Sequence, residues 1–254
     1  MIAVKELMVR HHKLLTELNT SFIQEHGSPL FIDLAKLAEC CNSCDVDDDT
    51  ITYDAPKITV RNYFPPAHTI PASNSHGIQH IDIALSLNNI TIRKPAAKIQ
   101  DPLTRLDGFD ITLQTQHNHP NYYYASWHLD KRIVSERYSL IEPEYHLTFG
   151  GRNMEKLYAQ NMDFGSALIV RAPRIMHPPM DVILGIDFIL NQFIDREYSG
   201  DILENVSYRD IVSTMRGYLW KPFATGLAKN FYTSWNDSHN LSFDDEFCKN
   251  VVGD

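Results

Sequence analysis

Four side chains that can exchange protons or bind a metal fall on two neighbouring segments that alternate polar and apolar residues. His128 and Asp130 lie on the first segment, and Glu144 and His146 lie on the second. Because successive side chains of a β-strand point to opposite faces, each pair shares one face of its strand. If the two strands pair in an antiparallel hairpin, all four side chains meet across the pair.

This cluster has two chemical interpretations and one structural interpretation. Imidazole and carboxylate ligands suit zinc, manganese or iron, so a divalent metal that activates water is one possibility. The candidate metal ligands are His117, His119, His128 and His146. The second interpretation is acid–base chemistry without a metal, because histidine titrates near neutral pH. The structural alternative is that these histidines form hydrogen bonds across strands or pack against nearby tyrosines.

Arginines near the cluster favour an anionic substrate. Gly150 and Gly151 directly precede Arg152, and backbone N–H groups beside an arginine can hold a phosphate. Arg171 and Arg174 are expected near the same edge of the sheet. These three arginines are the predicted substrate-binding residues, although a Gly-Gly turn and solvated arginines need no ligand.

The segment His146-Leu-Thr-Phe resembles the H-x-T-x motif of the two-histidine phosphoesterases. That family carries two copies of the motif, and the candidate second copy here is His80-Ile-Asp-Ile. It departs from the pattern because Asp82 stands where threonine or serine is expected. The resemblance implies phosphoesterase chemistry at His146, and it covers few residues.

The periodicity of apolar residues predicts helices at both ends of the chain and strands between them. Apolar residues recur every three to four positions in the predicted helices 2–25, 30–40, 181–194 and 208–235. Pro222 is expected to kink the last helix or divide it in two. Alternation predicts strands at 51–53, 57–61, 80–87, 109–115, 122–130, 145–149 and 167–171.

These elements predict an α+β fold in one domain spanning 1–254. An antiparallel sheet of about five to seven strands would carry an N-terminal helical hairpin and C-terminal helices packed on it. The predicted sub-regions are a helical hairpin at 1–44, the sheet at 50–172, helices at 180–236 and an acidic tail at 237–254. Asp187 is the one charged residue after Asp181 in the apolar predicted helix 181–194, which is expected to be buried.

Composition excludes several classes of protein. With 254 residues and 43% apolar residues the chain can bury a large core. The net charge of −9 argues against a large non-specific nucleic-acid footprint. No apolar run is long enough to cross a membrane, and the first residues do not resemble a secretory signal. These features predict a cytoplasmic protein with no membrane association.

Three of the four cysteines are clustered. Cys41 and Cys44 have the C-x-x-C spacing of a zinc or redox site, and Cys40 precedes them. No second pair of ligands follows at a suitable distance, so reduced cysteines at the end of a helix are the favoured interpretation.

The C-terminal region carries more aromatic residues than one helix needs for packing. Trp220, Phe223, Phe231 and Trp235 are therefore the predicted contact surface for a protein partner, in a hetero- or homo-oligomer. Core packing is the alternative.

The order of several segments resembles uncharacterised bacterial proteins of mobile and phage-defence islands. These segments are a strand with His128, then EPEYHLTFGG, APRIMHPPMD, a buried helix and WKPF. The resemblance implies a non-catalytic or accessory subunit of a bacterial complex, such as one for anti-phage defence. The alternative is a hydrolase, of the phosphodiesterase or nuclease-like class, that uses His128 and His146 with Asp130 or Glu144.

Overall fold

The computed structural model describes residues 2–26, 30–63, 79–94, 102–115, 123–131, 145–150, 154 and 175–232. The helices in these ranges are α1 (Ile2–His26), α2 (Leu34–Asn42), α3 (Val182–Gln192), α4 (Arg196–Glu204) and α5 (Val206–Tyr232). The strands are β1 (Leu30–Ile32), β2 (Asp45–Val46), β3 (Thr50–Asn62), β4 (Ile81–Arg93), β5 (Leu103–Arg105), β6 (Gly108–Gln114), β7 (Tyr124–Lys131), β8 (Tyr145–Phe149) and β9 (Ile175–Met176).

All nine strands belong to one antiparallel sheet, which confirms the predicted α+β fold. Seven strands follow the order β1-β3-β4-β6-β7-β8-β9, while β2 pairs with β3 and β5 pairs with β4. The sheet has more strands than predicted because β1, β2, β5 and β9 are only two or three residues long. Such short strands are below the length at which alternation can be recognised in a sequence.

The sheet has one apolar face and one polar face. In β4 the alternate residues Ile81, Ile83, Leu85 and Leu87 are buried, as the sequence predicts. The register places Leu85 beside Ile111 of β6, which continues the apolar face into the next strand. The intervening residues of each strand point the other way and are mostly polar. The two faces therefore meet different surroundings, and the chemical candidates lie on the polar one.

Helix α3 covers the apolar face. Asp181 caps the helix through its Oδ1, which accepts a hydrogen bond from the N–H of Leu184 at 2.9 Å. Nearly the whole circumference of the helix is buried, including Asp187, as predicted from its sequence. At Gly185 the backbone approaches the sheet so closely that a Cβ atom there would lie 2.8 Å from Leu85 Cδ2 and 3.2 Å from Phe109 Cζ.

Gly185→Ala is expected to lower the free energy of unfolding by about 1–2 kcal/mol, because overpacking outweighs the higher helix propensity of alanine. The matched control is Gly200→Ala on α4, where a Cβ would have no neighbour within 4 Å. That variant should gain up to about 1 kcal/mol. Urea unfolding followed by circular dichroism measures both. Equal shifts in the two variants would contradict the close packing of α3 on the sheet.

Helix α2 begins later than the helix predicted over 30–40. The prediction of a helix over 30–40 is wrong for its first residues, because Leu30–Ile32 pairs with β3 as a short edge strand. Asp33 then caps α2, with Oδ1 accepting from the N–H of Lys36. The predicted strands 51–53 and 57–61 are one continuous strand, β3, which absorbs a bulge next to Lys57, a residue with φ of 36°.

The last helix, α5, runs continuously through Pro222 instead of dividing there. Residues on both sides of the proline pack against the core, which compensates for the hydrogen bond that proline cannot donate. Helix α1 lies against both α2 and α5. No helix in the described ranges has the length and apolar character needed to span a membrane. The predicted strand 167–171 and the predicted acidic tail 237–254 lie outside the described residues.

Candidate functional site

The predicted histidine cluster forms where β7 pairs with β8. The antiparallel register places Asp130 directly opposite His146, and His128 opposite Thr148. All four residues therefore point to the polar face of the sheet. The strands form here because apolar residues such as Leu129 and Leu147 alternate with them and are buried on the opposite face.

One carboxylate oxygen lies close to both histidines. Asp130 Oδ2 is 3.4 Å from His128 Nε2 and 3.6 Å from His146 Nε2. Both distances suit a charge pair whenever the imidazole is protonated. Two imidazoles from neighbouring strands thus share a single carboxylate, an arrangement in which a proton held by either ring has a negative partner.

Burial differs across this His128–Asp130–His146 cluster. The side chain of His146 is 4% exposed and that of His128 is 18% exposed, whereas Asp130 is 52% exposed. The cluster therefore has a buried end at His146 and an open end at Asp130. Solvent reaches the cluster from the side of Asp130.

Two further residues adjoin the cluster: Asp110, which the sequence did not single out, and Thr148, the threonine of the His146-Leu-Thr-Phe motif. Asp110 of β6 lies opposite His128 across the β6–β7 pair, so a second carboxylate adjoins His128 on the side away from β8. Thr148 lies opposite His128 on β8, and its Oγ1 is buried with no hydrogen-bond partner among the residues that the structure describes. The sequence shows which polar residues occupy alternate positions along each strand. Only the register of the paired strands shows which of these residues are neighbours.

The second copy of the phosphoesterase-like motif does not join the cluster. His80 precedes β4, which is separated from β8 by β6 and β7 in the sheet. Three strand spacings alone amount to about 14 Å. His80 instead lies 3.8 Å from Asp82, which also accepts two hydrogen bonds from Arg61. Burial lowers the pKa of His80, and the nearby Asp82 opposes that effect.

Several predicted site residues lie outside the described residues. They are Glu144, Arg152, Arg171, Arg174, His117, His119 and Trp235. Their predicted roles in catalysis, substrate binding, metal binding and partner contact therefore stay predictions. Of the four predicted catalytic residues, the structure brings three together.

Metal binding at this site also stays a prediction. Within the ranges that the structure describes, no group of three or more histidine, cysteine, aspartate or glutamate side chains is arranged to hold a metal ion. The described cluster sets two imidazoles beside one carboxylate, a grouping that can exchange protons.

The cysteine cluster is buried at the end of α2. Cys40, Cys41 and Cys44 are free thiols, and Cys44 Sγ donates a hydrogen bond to the Cys40 carbonyl oxygen at 3.1 Å. Burial raises the pKa of all three thiols, that of Cys41 to about 11. Protonated, buried thiols are poor nucleophiles and poor metal ligands. The cluster therefore contributes apolar packing in the described fold.

Two of the predicted interface aromatics contact their own chain. Trp220 Nε1 donates a hydrogen bond to the Pro179 carbonyl oxygen at 2.8 Å, and the Phe223 ring meets Tyr145 edge-on at 5.8 Å. Both are half-buried. Phe231 lies on α5, but its side chain is outside the described part. Whether a partner also contacts this surface stays a prediction.

Fold and site together define an α+β protein with a polar sheet face that carries a His–Asp–His cluster. The chain matches no protein-family model, no curated protein and no solved structure.

Proposed function

We propose that this chain is a hydrolase in which His128 and His146 form an acid–base pair held by Asp130, with phosphodiesters as its substrate class. The observation that supports the proposal is the approach of both Nε2 atoms to one oxygen of Asp130, at 3.4 and 3.6 Å. Because both imidazoles share this one carboxylate, a proton on either ring has the same negative partner, and the half-exposed carboxylate lies where a substrate can enter.

The reaction needs one neutral and one protonated imidazole. The neutral ring accepts a proton from water as the water oxygen bonds to phosphorus, and the protonated ring donates its proton to the leaving oxygen as the other P–O bond breaks. The products are an alcohol and a phosphomonoester. The carboxylate of Asp130 lies beside both rings and stabilises whichever of them is protonated. The buried hydroxyl of Thr148 is available to an oxygen of a group that enters beside His128.

The test is turnover of bis-para-nitrophenyl phosphate and of single-stranded RNA and DNA oligonucleotides by the full chain. His128→Asn and His146→Asn are each expected to lower kcat by about a hundredfold, because each removes one proton-transfer group. One limb of the pH–rate profile should disappear in each variant. His80→Asn is the matched control, since His80 directly precedes β4 and has its own carboxylate neighbour, Asp82. It should leave the rate unchanged.

Two results would contradict the proposal. One is a wild-type rate in the His128→Asn, His146→Asn double variant, with circular dichroism showing the native fold. The other is no turnover of any of these phosphodiesters by the wild-type chain. An unchanged pH profile in the single variants would assign the histidines to structure rather than to proton transfer.

An accessory role in a bacterial complex, such as one for anti-phage defence, is the second candidate. It is favoured by β9, where Ile175 and Met176 are 56% and 51% exposed on the strand that ends the described path of the sheet. Exposed apolar residues on a strand are typical of protein contact sites. Size-exclusion chromatography of the chain expressed with its neighbouring genes tests this role. A stoichiometric partner lost on Ile175→Lys would support it, and a monomer under the same conditions would contradict it.

A further inference from the structure

A cleft of about 530 Å³ lies among α3, α4 and α5, away from the histidine cluster. We propose that this cleft binds a small anionic ligand that carries a phosphate or phosphodiester group. Its volume is within the range of small-molecule sites, about 300–1,000 Å³. The polar residues that line it are Asp187, Asn191, Arg196, Glu204, Tyr208, Arg209, Asp210, Ser213 and Arg216.

The cleft and the histidine cluster are on opposite sides of the sheet. Helix α3 packs on the apolar face, where Gly185 approaches Leu85 and Phe109. His128 and His146 point to the polar face, because they alternate with the buried apolar residues of β7 and β8. A ligand in the cleft is therefore distinct from a substrate at the cluster, and the two proposals can fail separately.

The three carboxylates and three arginines of the lining balance each other, and Arg10 of α1, which pairs with Asp210 from outside the lining, adds one further positive charge. Each carboxylate of the lining has an arginine partner, in the ion pairs Asp187–Arg216 at 2.9 Å, Glu204–Arg196 at 3.4 Å and Asp210–Arg10 at 3.2 Å. Arg209 is exposed and forms no ion pair or side-chain hydrogen bond within the part of the chain that the structure describes. The guanidinium of Arg209 is thus left to attract an anion, in a protein whose net charge is −9.

The lining of α5 has a regular spacing. Arg209, Ser213 and Arg216 lie at positions i, i+4 and i+7, which places them in one row along the same helix face. The row is about 10 Å long, because each residue of a helix rises about 1.5 Å. It presents a guanidinium, a hydroxyl and a second guanidinium to the cleft. Planar guanidinium groups bind phosphate oxygens through paired N–H donors, so this row suits a phosphate better than a carboxamide or a neutral sugar.

The floor of the cleft is a nearly buried ion pair. The side chains of Asp187 and Arg216 are 9% and 21% exposed, and Asp187 also accepts hydrogen bonds from Tyr208 and Asn191. Arg216 lies over the Trp220 ring at 5.0 Å, which fixes its guanidinium plane. Desolvation makes such a pair a poor source of stability compared with apolar packing. Its place beside an open cleft is accounted for if the oriented Arg216 contacts a ligand.

The test is isothermal titration calorimetry of the full chain with adenosine monophosphate, with inorganic phosphate and with adenosine as the neutral counterpart. Adenosine monophosphate is expected to bind at least about tenfold more tightly than adenosine, and its affinity should fall as salt screens the arginines. Arg209→Gln should lower the affinity for adenosine monophosphate by about tenfold. The matched control is Arg105→Gln on β5, which changes an exposed arginine paired with Asp107 and should have no effect.

Several results would overturn the inference. They are no binding of either phosphate probe at millimolar concentration, equal affinities for adenosine and adenosine monophosphate, and equal affinities of the Arg209→Gln and Arg105→Gln variants. Ser213→Ala is a second variant at an exposed position, and it should also lower the affinity for the phosphate probes. Binding that survives His128→Asn, together with phosphodiester turnover that survives Arg209→Gln, would establish that the two sites are independent.

Discussion

Replacing Asp187 by leucine is expected to lower the free energy of unfolding by about 3–5 kcal/mol. The substitution removes the carboxylate that lies 2.9 Å from Arg216 Nη2, where the two side chains are only 9% and 21% exposed. It also removes the acceptor for Tyr208 Oη at 3.3 Å and for Asn191 Nδ2 at 3.1 Å. A buried cation and two donors would then lose their shared acceptor. Urea unfolding followed by tryptophan fluorescence measures the change.

The exposed pair Arg10–Asp210 supplies the control for this prediction. Its side chains are 56% and 61% exposed, so Asp210→Leu should cost less than about 1 kcal/mol. The double variant Asp187→Leu, Arg216→Met removes both buried charges and should recover most of the loss. If Asp187→Leu costs no more than Asp210→Leu, the ion pair is not desolvated. A double variant that is stable but no longer binds adenosine monophosphate would separate the role of the pair in binding from its role in folding.

The histidine cluster was accessible from sequence because it depends on local periodicity. In a strand the side of a residue follows from counting by two, so His128, Asp130 and His146 could be placed on one face before their partners were known. Consecutive strands in a meander usually pair with each other, which brings β7 next to β8. The register within the pair was not accessible, and with it the positions of Asp110 and Thr148.

The cleft could not be predicted because it depends on contacts between distant segments. Asp187 was recognisable as a charge inside an apolar helix, but its partner Arg216 lies 29 residues further along the chain. Arg10, which neutralises Asp210, is 200 residues away from it in sequence. Helical periodicity shows that Arg209, Ser213 and Arg216 share a face, yet it does not show what that face meets. Only the packing of α1, α3 and α4 around α5 defines the cleft.

His11 is expected to make the fold sensitive to acid. Its ring is buried against Tyr208, at 5.6 Å between ring centroids, and neither ring nitrogen has a hydrogen-bond partner in the described ranges. Burial, with a smaller contribution from His12, lowers the pKa of His11 to about 3. In the unfolded chain the imidazole of His11 takes up a proton below about pH 6.5. In the folded chain the same imidazole stays neutral until the pH approaches its lowered pKa of about 3. His11 therefore contributes stability that is present above about pH 6.5 and is lost as pH falls.

The expected loss from His11 between pH 7 and pH 5 is about 2 kcal/mol. His11→Leu places an apolar side chain in the buried site and removes the loss of stability that comes from protonation of His11. Urea unfolding at both pH values, followed by circular dichroism, gives the difference in stability between wild type and variant. That difference should change by about 2 kcal/mol in favour of the variant as the pH is lowered.

Asp181 provides the opposite effect over the same range. Burial raises its pKa to about 6, although the N–H of Leu184 and the hydroxyl of Tyr53 donate to its carboxylate. Because the pKa of this carboxyl is higher in the folded chain than in the unfolded chain, the folded protein becomes less stable as the pH rises. Acidification from pH 7 to pH 5 should therefore stabilise the fold by about 1 kcal/mol through Asp181. The effects of His11 and Asp181 on stability thus partly cancel in the wild type, so neither is visible in its pH dependence alone.

Asp181→Asn separates the two contributions, because its amide oxygen can still cap α3 while the side chain no longer titrates. Relative to wild type, this variant should become less stable by about 1 kcal/mol as the pH falls from 7 to 5, while His11→Leu changes in the opposite direction. Two variants whose stability follows the wild-type pH dependence would contradict the burial of both groups. Opposite signs would establish that α1 and the cap of α3 each place one titratable side chain out of contact with water.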